Sequence, residues 1–186
     1  MSILTLKESI KAGESILAPG VHDMISVVIA DKVGFPALFV GGYGISASHL
    51  GIPDVGIMTF TDILDRVRMI SQITTKPIIV DADTGYGSLI NLRHAVKSFE
   101  KAGVSAIQIE DQIFPKRCGH AQGVEVVSID EMCNRIRVAV DSRNNENFLI
   151  IAEVPSGELS SIIKIDDKGK FSLMPKISFS ILSFSL

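Results

Sequence analysis

Ala106-Ile-Gln-Ile-Glu110-Asp-Gln-Ile-Phe-Pro115-Lys-Arg-Cys-Gly-His120 is a short apolar run that ends in two acids and enters a loop carrying cations, a thiol and an imidazole. The run reads as a buried strand over residues 106–109, with Glu110 and Asp111 emerging at its C-terminal end and residues 115–120 forming an exposed, turn-rich segment. Carboxylate, thiol and imidazole are thus expected at one rim of the fold. Taken singly, acids at a strand end cap a following helix or are simply solvated, and a lone cysteine is most often a small buried hydrophobe. Cys118 stands apart because Lys116, Arg117 and His120 flank it on a glycine-containing loop, a setting that favours an accessible thiolate.

Working outward, comparable apolar runs occur at residues 15–18, 37–40, 77–80, 105–109 and 148–152. They are continuous rather than alternating, as strands covered on both faces are. Amphipathic segments lie between them. Ile63, Val67 and Ile70 share a helical face behind Thr59-Phe-Thr-Asp62, and Leu92, Ala95, Val96 and Phe99 share another before a stop at Gly103. Met132, Ile136, Ala139 and Val140 repeat the pattern after the capping-box signature Ser128-Ile-Asp-Glu131. Strand alternating with helix predicts an α/β fold with a parallel sheet, either doubly wound or a (β/α)8 TIM barrel. Polar residues just past several strand ends favour the barrel: Gly41, Gly42 and Tyr43 after the second run, Asp81 and Asp83 after the third, Glu110 after the fourth. No GxGxxG segment opens a helix to support a dinucleotide fold.

Asp81 and Asp83, two apart at a strand end, are expected to share a hard cation through oxygen ligands and water, with Gly85 and Gly87 making the turn beside it. The alternative is an Asx-turn and helix cap. Gly41-Gly-Tyr-Gly-Ile-Ser-Ala-Ser-His-Leu-Gly-Ile-Pro-Asp54 reads as a loop, either plain and flexible or one whose amides approach a ligand carboxylate. His49 in that loop and His94 on a helix lack a second ligand at metal spacing, and His22 sits at the rim of the first strand.

The chain has 186 residues, 46% of them hydrophobic, and a formal net charge of −3. One sizeable core is affordable at that length. Nothing resembles a basic stripe for nucleic acid, and no apolar run is long enough to span a membrane. The charged start MSILTLKESIKAGE has no secretory core, and two cysteines, Cys118 and Cys133, are too few for a disulfide framework. A cytoplasmic location is expected.

The strings PKRCGH, IEDQ and VDADTGYG, in their order and spacing, resemble the isocitrate lyase/phosphoenolpyruvate mutase superfamily, and within it the short lyases of the 2-methylisocitrate lyase kind. The resemblance runs from about residue 4 to residue 152. It implies a TIM barrel, here incomplete with about the first five βα units over residues 1–152, followed by a divergent tail at 153–186. It implies Mg2+ at Asp81 and Asp83, with Asp54 and Glu110 reaching the ion mainly through its waters. Gly41, Gly42 and Tyr43 stand where relatives contact a substrate carboxylate or carbonyl oxygen, although relatives often carry serine at the position of Gly41, and Phe39 takes the place of a tyrosine of some relatives.

The implied activity is cleavage of a carbon–carbon bond in a 2-hydroxy di- or tricarboxylate. Cys118 is then the general acid on a gating loop, Gly119 and His120 belong to that loop and contribute to substrate binding and catalysis, and Lys116 and Arg117 set the charge of the closed site. The family also implies a homo-oligomer acting on a small carboxylate. Two alternatives stand beside this: phosphonomutase chemistry, disfavoured by the cysteine of PKRCGH, and a non-catalytic chain that binds ligand or full-length partners. The arginine, threonine and aspartate expected after the fifth strand are absent: Glu153 takes the arginine's place, and the serine-rich tail offers at most a strand or two. A marginally stable chain of weak or no activity is the corresponding expectation.

Overall fold

The computed structural model describes residues 3–117, 124–153, 162–165 and 171–174. Its elements alternate as the hydrophobic pattern requires: α1 (Ile3–Lys11), β1 (Gly20–Val21), α2 (Met24–Val33), β2 (Leu38–Val40), α3 (Gly42–Leu50), α4 (Phe60–Ser71), β3 (Ile78–Asp81), α5 (Leu89–Lys101), β4 (Ala106–Glu110), α6 (Ile129–Ser142) and β5 (Leu149–Glu153). These five strands form one parallel sheet in the order β1-β2-β3-β4-β5. Doubly wound sheets reverse their strand order at a switch point, and this one does not; chain order repeated in space is the arrangement of a (β/α) barrel wall.

Alternation along each strand divides the core into two layers. Leu38, Val40, Ile78, Val80, Ile107, Ile109, Ile150 and Ala152 pack outward against helix residues that include Val67, Ile70, Val96, Phe99 and Ile136. Phe39, Ile79, Ala106 and Ile151 face inward, where Leu6 and Ile10 of α1 close over them with Ile16 and Ala18. Both faces being covered is why the strands read as continuous apolar runs. The same parity carries Asp81, Gln108, Glu110 and Glu153 to the inner face at the C-terminal ends of β3, β4 and β5.

Local chemistry fixes the helix starts. Thr59 and Asp62 form a reciprocal capping box at α4, and Ser88 and Asn91 do the same at α5. Ser128 accepts the Glu131 amide at α6, but only half of the expected box forms, because the Glu131 carboxylate pairs instead with Arg135 at 2.7 Å.

Three sequence-based expectations are corrected. The first strand is at residues 20–21, not 15–18: pairing with β2 begins only where Pro19 O accepts the Phe39 amide, and Leu17 upstream is exposed. Residues 42–50 are helix α3, so His49 is helical and not in a loop; Gly51, at φ 68°, ends the helix in the left-handed conformation. Helices α1 and α2 were not foreseen as such. Beyond residue 153, β6 (Ile162–Ile165) and β7 (Phe171–Met174) pair antiparallel in a separate two-stranded sheet.

Candidate functional site

Acids gather at the C-terminal rim. Single carboxylate oxygens of Asp54, Asp81 and Asp83 all lie within 4.8 Å of one another. Asp81 ends β3, Asp83 follows it at φ 48°, and Asp54 arrives from the segment after α3. The turn is held open by its backbone: Glu110 N–H donates to Asp83 O at 2.8 Å and Ala82 N–H to Gln108 O at 2.8 Å. Gly87, at φ 139°, admits Asn91, which a Cβ would strike at 2.9 Å. Asp81 Oδ1 also accepts the Asp83 amide at 3.0 Å, so the Asx-turn coexists with the cluster.

The start of α3 leans on the same acids. Gly42 N–H points to Asp81 Oδ2 at 3.4 Å, and a Cβ on Gly42 would come within 3.1 Å of Asp54 Oδ2. A side chain there would crowd the cluster. Gly41 is the N-cap without a side-chain bond, and Tyr43 is half exposed beside it.

Lys116 departs most from expectation. It is 3% exposed rather than part of an open loop, and its ammonium enters the acid cluster. Nζ donates to Asp54 Oδ2 at 2.7 Å, touches Asp83 Oδ1 and stands 3.9 Å from Glu110 Oε1. The physical reason is charge: burial of the lysine is opposed by desolvation, but Asp81, Asp83, Glu110 and Asp54 overcome that and hold its pKa above the ordinary value. Arg117 next to it is exposed, and its backbone is clamped in both directions by the Gln112 amide, each bond 3.0 Å. Cys118, Gly119 and His120 lie outside the described residues.

One ammonium does not neutralise these acids. Burial, then repulsion from Asp81, pushes Asp83 up to about 7 against the pull of Lys116. The same two causes raise Glu110 to about 9 and lift Glu153. Glu110 Oε2 is buried and finds no hydrogen-bond partner. An all-carboxylate donor set with an orphaned buried oxygen suits a hard divalent cation such as Mg2+.

Sequence reasoning missed Arg135, which lies buried on the apolar face of α6 and donates to Glu110 O at 3.3 Å and Gln112 O at 3.0 Å, fixing the exit of β4. An arginine in phase with Met132 and Ile136 was the available signal. It also missed Tyr86, whose hydroxyl donates to Asp81 O at 3.4 Å. Glu153, at the end of β5, contacts Gln108 and adds a further negative charge to the inner face. His94 packs edge-on against Phe60, and Arg66 bridges His22 O and the His49 ring; these are structural roles.

A 2-methylisocitrate lyase of Salmonella typhimurium is 45% identical to the chain over 126 residues, covering 67% of the chain and 43% of that protein. Among solved structures, a 2,3-dimethylmalate lyase described as a PEP mutase/isocitrate lyase superfamily member superposes with a TM-score of 0.79 at 38% identity, over 84% of this chain and 54% of its own. A phosphonopyruvate hydrolase in complex with oxalate and Mg2+ gives 0.75 at 32% identity, over 83% and 53%. The chain spans about half the length of the curated relatives it matches. Sheet order, the acid rim and these likenesses agree with the family model for phosphoenolpyruvate phosphomutase, which matches residues 6–156, and the chain therefore belongs to that family, within the isocitrate lyase/PEP mutase superfamily.

Proposed function

We propose that this chain carries the metal-binding half of a Mg2+-dependent carbon–carbon lyase site that cleaves a 2-hydroxy di- or tricarboxylate of the 2-methylisocitrate or 2,3-dimethylmalate class. The observation that carries the reading is the cluster of Asp54, Asp81 and Asp83 at the C-terminal rim of a parallel barrel sheet, with Glu110 beside it. Asp81 and Asp83 would hold the ion, with Asp54 and Glu110 bonding to its waters; when bound, the ion polarises the oxygens of the incipient 2-oxo acid.

The chain's own residues do the rest. The α3 amides of Gly42 and Tyr43 begin a helix whose N-terminus favours an anionic group, so a substrate carboxylate or carbonyl oxygen sits at residues 41–43. A carboxylate of the acid rim takes the proton of the substrate hydroxyl, the carbon–carbon bond breaks toward the departing carboxylate enolate, and that carbon takes a proton from the Cys118 thiol, which is left as thiolate. Gly119 and His120 complete the loop that excludes water, and Lys116 and Arg117 offset the negative charge that accumulates. Supporting the assignment of Cys118 are its place in PKRCGH and the resemblance of that string to the lyases. The barrel portion is taken as residues 1–152 and the divergent segment as 153–186.

A second reading is ligand binding without turnover. Glu153 favours it, because a half-buried carboxylate near Asp81 on the inner face opposes the approach of an anionic substrate. The deciding assay measures Mg2+-dependent release of pyruvate or glyoxylate from 2-methylisocitrate, isocitrate and 2,3-dimethylmalate. Turnover of one of them that Cys118→Ser lowers by about 10²–10⁴ while Cys133→Ala leaves it intact is the expected result. Metal and substrate binding with no product from any of the three would replace catalysis by the second reading.

A further inference from the structure

Lys116 occupies ground that a divalent cation needs. Its Nζ lies 2.7 Å from Asp54 Oδ2 and in contact with Asp83 Oδ1, on two of the three acids that define the cluster. A cation that reached Asp83 directly would have to bond at roughly 2.1 Å, on a carboxylate the ammonium already contacts. The side chain is 2% exposed, so little water separates and screens two positive charges there.

The lysine is also placed with care. A Cβ on Gly56, at φ 75°, would meet Lys116 N and Cγ at 3.6 Å, so the segment that brings in Asp54 packs directly on the lysine backbone. On the other side Gln112 clamps the backbone of Arg117. With the backbone held from both sides, the four rotatable bonds of the side chain are what can move the charge.

We propose that Lys116 is a tethered counter-cation: its ammonium and the divalent ion occupy the Asp54–Asp81–Asp83 cluster in turn, so that ion binding expels the ammonium toward the rim. The inference rests on the metal reading above and adds a competitor to it. Without ion, the lysine keeps buried carboxylates paired and the rim folded. With ion, that task passes to the metal and the ammonium becomes a free positive charge beside the place proposed for an anionic substrate.

The test is calorimetric titration of the chain and of Lys116→Met with Mg2+, together with melting in EDTA and in saturating Mg2+. Removing the competitor should tighten Mg2+ binding by roughly tenfold or more, lower the melting temperature in EDTA and enlarge the gain on adding Mg2+. Equal or weaker Mg2+ binding by Lys116→Met overturns the competition while leaving the metal site standing; binding by neither protein overturns both. Reductive methylation of the unmodified sequence, read by peptide mass, is independent of whether the variant folds. Lys116 should be modified at least tenfold faster in saturating Mg2+ than in EDTA, and no acceleration would also overturn the proposal.

Discussion

The middle of the sheet and its C-terminal rim are built from the same strands, yet they obey opposite rules. In β3 and β4, Ile79, Val80, Ile107 and Ile109 are fully buried among apolar neighbours, and each gains from the company it keeps. One to three residues further along, Asp81, Asp83 and Glu110 crowd acids together at the rim, and among the described residues Lys116 is the cation that enters the cluster. The middle is arranged for stability; the rim gives some of it up to hold a site ready for a cation. Substitutions in the two regions should therefore differ in sign as well as in size.

The largest stability effect belongs to the apolar side. Phe99→Ala empties a fully buried position of α5 that rings from Phe60 and Tyr86 adjoin, and should cost about 3–5 kcal/mol in urea unfolding. A loss below about 1 kcal/mol would mean that the core collapses around the gap.

Glu110→Gln should go the other way. It puts a neutral amide where burial and repulsion from Asp81 force a carboxyl to take up a proton on folding, so the melting temperature in EDTA should stay level or rise while Mg2+ affinity falls at least roughly tenfold. A marked drop in melting temperature would show the rim to be as stabilising as the core.

The rim also sets a pH dependence. Asp83 and Glu110 keep protons in the folded state up to about 7 and about 9, whereas an unfolded carboxyl releases its proton near 4. The folded state binds more protons across that interval, so the stability contributed by these groups is present at low pH and lost as pH rises through about 7 and then about 9. Denaturant midpoints of the metal-free protein should fall from pH 5 to pH 9, and saturating Mg2+ should flatten the trend. A metal-free midpoint that rises across this range would contradict the assignment.

The smallest expected effect is at an exposed cap. Thr59→Ala removes the acceptor for the Asp62 amide at the start of α4 and should cost about 1 kcal/mol, equally with and without Mg2+, since it touches neither region.

What could be read in advance follows the same division. The faces of α4, α5 and α6 were legible because Ile63, Val67, Leu92, Phe99, Met132 and Ile136 repeat at helical spacing on otherwise polar segments. Helix α2 was not, because Ile25, Val28, Ile29 and Val33 lie on its exposed side and erase the contrast between faces. Helix α3 was hidden by Gly42 and Gly44, residues that signal loops; here they serve close approach, Gly42 to Asp54 and Gly44 to the His22 side chain, whose Cβ an added Cβ would meet at 2.8 Å. At the rim, Asp54, Asp81, Asp83 and Glu110 were recognisable from spacing and resemblance. The burial of Lys116 was not, because a lysine two residues from a cysteine, in a segment with Pro115 and Gly119, reads as solvated until the acids that draw it inward are placed in space.

Strand order that follows chain order has a bearing on assembly during synthesis. Each new strand of the sheet docks on the one made just before it, without waiting for a distant partner. Asp54, Asp81, Asp83, Glu110 and Lys116 come from three successive strand–loop units, so the acids and their balancing ammonium are all in hand by residue 116. The buried charges need not wait unpaired for α6 and β5. Those later elements arrive as reinforcement, with Arg135 grasping the carbonyls at the exit of β4 after Lys116 has a place among the acids.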